Sequence, residues 1–114
     1  MSTLKTENAL SKHRFYELKH FCLQYSEWKR AYFSRVGFPE NVFSPPTDTT
    51  SKDGIMRADL FYRMHLVEET CMETNKLYSQ VLFRIVTETS AAPKDPYLNE
   101  LYYQFFKRLD KKRN

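Results

Sequence analysis

Residues 12–36 read KHRFYELKHFCLQYSEWKRAYFSRV, with Phe15, Leu18, Cys22, Tyr25, Trp28, Tyr32 and Val36 spaced three or four apart. That is the period of an α-helix, so these apolar side chains form one stripe broad enough to face a core, with Lys, Arg and His between them. The stretch predicts one helix, or two in line. Ser26 followed by Glu27 marks where a serine cap and an acidic first turn start the second helix, after a short bend at Gln24 and Tyr25. Gly37 supplies the C-terminal stop.

Upstream, residues 1–11 are polar and expected to fray, with Ser11 able to cap the first helix. Downstream, FPENVFSPPTDTTSKDG carries three prolines and a Ser/Thr/Asp run that no helix continues through. Residues 38–53 therefore read as a long loop or linker, pinned to the core by Val42 and Phe43. Asp53 is then expected to cap a third helix from Ile55 to about Glu73, with Met56, Leu60, Met64, Val67 and Cys71 on its stripe. Thr74 and Asn75 break it. A fourth helix is expected from Lys76 to Thr87 through Tyr78, Val81, Leu82, Ile85 and Val86, folding back as an antiparallel hairpin. Asp95 caps the last helix with Pro96 in its first position, and Leu98, Leu101, Tyr102, Phe105 and Leu109 form its stripe.

The result is an all-α fold, a compact bundle of four to five helices with a Pro/Thr-rich loop after the first helical region. At 114 residues the chain is a single domain that buries roughly two thirds of its unfolded surface. Only 2 Gly against 16% aromatic residues fits bulky helix packing and excludes a turn-rich sandwich. Cys22 and Cys71 fall on apolar stripes and read as buried, reduced thiols; a disulfide needs their helices to set them opposite one another. No apolar run approaches the ~20 residues of a membrane span, and MSTLKTENAL lacks the core of a signal peptide, so the chain is expected in the cytoplasm.

Charge is unevenly placed. Residues 12–36 hold six Lys/Arg against two Asp/Glu and residues 107–114 hold five against one, whereas residues 37–106 hold six against ten. Basic ends on an acidic middle either present a surface to a polyanion or dock on the middle of the same chain. Glu68, Glu69 and Glu73 crowd the third helix's C-terminal half, where the helix dipole disfavours them without a nearby cation. Tyr16, Phe33, Phe61, Tyr62, Phe83 and Tyr103 lie off the main stripes, so they are exposed or buried in a second interface. A homodimer is one way to hide them.

The chemistry of an enzyme is not in evidence. The chain has no Gly-rich phosphate loop, CxxC pair or HExxH; His13 and His20 lack a carboxylate or Cys ligand at metal spacing, and His65 reads as a packed or surface histidine. No cofactor or metal is expected.

KHRFYELKHFCLQYSEWKRAY at the start and ELYYQFFKRLDKKRN at residues 100–114 resemble the ends of the RinA/ArpU-like late-transcription regulators of Gram-positive prophages. The Pro/Ser/Thr linker and the Val86, Thr87, Glu88 step also correspond in order. In those proteins the position of Ser26 is commonly Pro. The resemblance implies promoter-DNA binding by a sigma-region-4-like helix-turn-helix, with the last helix in the major groove. This chain departs from the pattern between Glu88 and Pro93, where the family has a further short helix, and Tyr97, Leu98, Asn99 and Glu100 offer few base-reading groups.

Two readings follow. In the first, the protein is a phage-encoded small regulator that contacts duplex DNA mainly through phosphates, using Lys107, Arg108, Lys111, Lys112 and Arg113 with Lys29, Arg30 and Arg35. In the alternative it is a phage-encoded, anti-CRISPR-like inhibitor of a host nucleic-acid-processing protein. Asp59, Glu68, Glu69, Glu73, Tyr62 and Tyr103 would then meet a basic groove.

Overall fold

The computed structural model describes residues 10–36 and 52–113, apart from the side chains of Ser34, Arg35, Val36 and Asp53. Among the described residues five helices follow one another: α1 Lys12–Leu23, α2 Tyr25–Val36, α3 Lys52–Thr74, α4 Ser79–Glu88 and α5 Pro96–Arg113. The fold is all-α, and the described residues contain no strand. Gly37, Val42 and Phe43 lie outside the described residues.

Local chemistry explains most boundaries. Ser11 holds extended backbone and its Oγ accepts the Arg14 N–H at 3.1 Å, a serine cap at the start of α1. Gln24 alone makes the break between α1 and α2. Its carbonyl accepts the Glu27 and Trp28 N–H groups at 2.9 and 3.0 Å, and its side-chain amide donates to the orphan carbonyl of His20 at 3.2 Å. Ser26 is thus inside the first turn of α2, and the expected serine cap is replaced by the Gln24 backbone. Helix α3 starts at Lys52, three residues before Ile55, which places Asp53 in its first turn and not at its cap.

Helix α4 starts at Ser79 and not at Lys76, because the Asn75 Oδ1 accepts the Tyr78 N–H at 3.0 Å and holds residues 75–78 in a turn. That turn folds α4 back beside α3. At the other end of the connection, Asp95 Oδ2 accepts the Leu98 N–H at 3.0 Å, and the carbonyl of Asp95 accepts from Asn99 at 2.8 Å. Asp95 with Pro96 therefore starts α5 as its sequence implies.

Helix α3 is the central element and packs against α2, α4 and α5, while α1 lies across α4 and α5. Leu18, Cys22, Tyr25, Trp28, Tyr32, Met64, Val67, Cys71, Leu82, Val86, Leu101, Tyr102, Phe105 and Leu109 are all buried on the expected stripes. Phe21 and Phe106 join them, since α1 and α5 each face more than one neighbour and bury more than one row. Phe106 meets Phe105, Phe15 and Tyr102 edge-on at centroid distances of 4.9, 5.0 and 5.0 Å. Met56, Tyr78 and Val81, expected inside, are exposed. Of the off-stripe aromatics, Phe33, Phe61 and Phe83 pack against the core, whereas Tyr16, Tyr62 and Tyr103 remain exposed.

Lys19 is buried among these rings. Its Nζ donates to the Ile85 carbonyl at 3.3 Å and lies 5.1 Å from the Tyr102 ring centre. Ile85 is in the last turn of α4, whose final carbonyls have no helical partner, so a buried ammonium there satisfies an orphan acceptor and meets the negative end of the dipole. Burial lowers the pKa of Lys19, and the aromatic faces supply part of the stabilisation that water would give.

Cys22 and Cys71 are free and buried. Burial pushes the Cys22 thiol up to about 12, and burial together with the nearness of Cys22 raises Cys71. Below pH 9.0, the ordinary thiol value, folded and unfolded thiols are both protonated. Above it the unfolded thiols ionise and the folded ones do not, so each costs about 1.4 kcal/mol of stability per pH unit. Urea unfolding is expected to lose roughly 3 kcal/mol from about pH 8 to pH 10, and a Cys22→Ala/Cys71→Ala variant is expected to lose that slope. An unchanged slope in the variant would place the alkaline sensitivity elsewhere.

Candidate nucleic-acid interface

Helix α5 turns Leu101, Tyr102, Phe105, Phe106 and Leu109 inward. Its 3.6-residue period then directs Tyr103, Gln104, Lys107, Arg108 and Lys111 outward, and all five are exposed. The five basic residues at its end separate into two groups.

Lys112 and Arg113 are used within the fold. Lys112 Nζ lies 2.7 Å from Glu73 and 3.3 Å from Glu69, across α3. Partial burial alone lowers the Lys112 pKa, but the hydrogen bonds to Glu73 and Glu69 outweigh it and leave the value raised. The Arg113 guanidinium lies 3.8 Å from the Phe21 ring centre, and burial lowers its pKa, helped by the charges of Arg14 and Arg63. Asp110 completes the anchoring by accepting Arg14 Nε at 2.6 Å. The basic tail thus docks on its own chain, and the cation that the C-terminal acids of α3 require is Lys112.

Lys107, Arg108 and Lys111 form the second group, and among the described residues they enter no ion pair. They line a groove of about 380 Å³ with Gln104, Glu73 and Lys112. Lys29 and Arg30 stand exposed on α2 and outside that groove, Lys29 being 6.0 Å from the Phe33 ring centre. The Arg35 side chain is outside the described residues.

The acidic residues of the alternative reading all have partners. Asp59 pairs with Arg63 at 3.0 Å, Glu68 accepts the Tyr25 hydroxyl, Glu69 is shared by Lys112 and His65, and Glu73 holds Lys112. Burial, and then the Glu68 carboxylate, raise the Tyr25 pKa. Glu17 stands 3.5 Å from His13, the neighbouring carboxylate the sequence reading did not assign to it. Among the described residues no three His, Cys, Asp or Glu side chains gather as a metal site, and no helix is long and apolar enough to cross a membrane.

A further groove, of about 470 Å³, opens between α1 and α5 and is lined by Leu10, Lys12, Phe15, Tyr16, Tyr103 and Lys107. Lys107 borders both grooves. Sequence reasoning singled out Tyr16, Tyr103 and Lys107 separately and passed over Lys12 and Lys19. The signal for the groove was the matched spacing of Lys12 with Tyr16 and of Tyr103 with Lys107, one helical turn apart on the outer faces of two helices.

No known protein family, curated protein or solved structure matches the chain.

The expected recognition end of α5 is occupied by internal contacts. Tyr97 accepts from Asn75 Nδ2 at 3.0 Å and packs edge-on against Tyr78 at 5.4 Å, while Asn99 Nδ2 donates to the Pro93 carbonyl at 3.0 Å. These side chains secure the connection before α5. The free cations lie at the opposite end of the helix.

Docking of the tail is directly measurable. Lys112→Ala is expected to lower stability by about 1 kcal/mol, and a double-mutant cycle with Glu73→Gln to show a coupling of about 0.5–1 kcal/mol in urea unfolding. A coupling of zero would mean that the tail is not held by α3 in solution.

Proposed function

We propose that the protein is a small DNA-binding, transcription-regulator-like protein of phage type that holds duplex DNA through phosphates with Lys107, Arg108 and Lys111. One observation carries this reading: these three adjacent cations are in no ion pair among the described residues, while the nearby carboxylates Glu69 and Glu73 are both engaged by Lys112. Lys107 and Lys111 are one turn apart, about 6 Å along the helix, a separation that lets each side chain meet a different phosphate of one strand. The likeness of the closing segment to phage late-transcription regulators supports the same reading. The engagement of Tyr97 and Asn99 argues for backbone contacts with little base readout. The inhibitor reading has less support, since Asp59, Glu68, Glu69 and Glu73 each have an intramolecular partner.

The deciding experiment is fluorescence anisotropy with a labelled duplex, a promoter sequence compared with its scrambled version, across a range of salt. Binding to both with similar affinity, weakening linearly with log salt, is the expected result. No binding to either duplex at low salt overturns the proposal.

A further inference from the structure

The geometry points to the α1/α5 groove as a stacking platform for an unpaired nucleobase, on a strand whose phosphates continue over Lys107 onto Arg108 and Lys111. This rests on the reading of α5 as a nucleic-acid surface, and adds the form of the ligand: a single strand, or the single-stranded end of a duplex.

Four features combine. First, Tyr16 and Tyr103 are 51% and 43% exposed although both belong to a densely aromatic region, so each keeps a ring surface in water. Second, both rest on Phe15, at 5.6 Å each, which fixes them from below. Tyr16 stands edge-on to Phe15 at 68° and Tyr103 lies tilted at 33°. Among the described residues no ring contact joins the two tyrosines to one another, and both line the open groove. Third, the groove's volume of about 470 Å³ lies within the ~300–1,000 Å³ of small-molecule sites. Fourth, its two charged lining residues are both lysines, Lys12 on α1 and Lys107 on α5, and no carboxylate lines it.

Aromatic faces with flanking cations and no acid suit a base with its phosphates, because every base offers a π-face and every linkage an anion. Lys107 then bridges to the neighbouring groove, making one track of aromatic and basic contact along α5. A second copy of the chain is a poorer occupant. A two-fold contact here would gather four lysines, Lys12 and Lys107 of each copy, in one interface with no acid among the lining residues.

The test compares a single-stranded oligonucleotide carrying 2-aminopurine with a blunt duplex, using the full chain and two variants, Tyr16→Leu/Tyr103→Leu and Tyr16→Phe/Tyr103→Phe. Circular dichroism checks that each variant folds. The expected result is quenching of 2-aminopurine by the wild type and the Phe variant, with the Leu variant binding the single strand roughly 5- to 150-fold more weakly and the blunt duplex unchanged. Duplex binding without quenching, or single-strand binding that ignores the Leu substitutions, overturns the platform and leaves the phosphate-binding reading standing. Failure to bind either nucleic acid overturns both. Sedimentation as a dimer that Tyr103→Asp dissociates, with no quenching, assigns the groove to a second copy instead.

Discussion

Truncating Phe106 to alanine is expected to destabilise the protein by about 3–5 kcal/mol, a large part of the ~5–15 kcal/mol that holds a domain of this size together. Phe106 is fully buried and is the ring on which α1 and α5 meet: Phe15, Tyr102 and Phe105 all touch it within 5.0 Å. Removing it leaves a cavity in a layer of rigid rings that cannot collapse, because their edge-on orientations are set by one another. Lys19 also loses a partner, since its ammonium lies 5.9 Å from that ring's centre and is shielded from water. Urea unfolding of Phe106→Ala should show a much lower midpoint at unchanged slope. Tyr103→Leu, three residues away on the outer face, should stay within about 1 kcal/mol of wild type. Equal losses at the two positions would contradict the division of α5 into a packed and a free face.

Replacing Lys107, Arg108 and Lys111 together by alanine is expected to abolish the salt dependence of duplex binding while sparing the fold. Three phosphate contacts give a slope of log affinity on log salt of about −2.7. The wild type should therefore weaken roughly 40-fold between about 50 and 200 mM salt, and the triple variant hardly at all from an already weak baseline. Because these side chains are exposed and in no ion pair among the described residues, stability should change by less than about 0.5 kcal/mol per position. The control is Lys112→Ala/Arg113→Ala, which removes nearly as much charge from the same helix end. It should unfold more easily, since Lys112 bridges Glu69 and Glu73 and Arg113 covers Phe21. If that pair instead carries the salt slope, the division of the tail into docked and free cations is wrong.

Much of the fold was legible because it is encoded locally. A helical stripe needs only the spacing of Leu18, Cys22, Tyr25 and Trp28, and a helix start needs only Ser11 or Asp95 beside the N–H groups it caps. Boundaries failed where two local signals competed. Asn75 offered its side chain to the Tyr78 N–H and delayed α4, and the Gln24 backbone took the role expected of Ser26. Phe21 and Phe106 were missed because a single stripe describes a helix with one neighbour, whereas α5 packs against α1, α3 and α4. Lys19 was illegible for a related reason: its acceptor, the Ile85 carbonyl, lies 66 residues away.

The candidate site shows the same division. The sequence alone determined that basic residues gather at the end of α5, that the acids of α3 need a cation, and that tyrosines are left over on the outer faces. Only the tertiary structure decided which cation answers which acid. An ion pair forms when two side chains come within about 4 Å, and Lys112 reaches Glu69, 43 residues distant, because α5 packs against α3. Lys107, Arg108 and Lys111 differ from Lys112 in where the helix points them and not in chemical kind. That direction leaves three charges facing solvent.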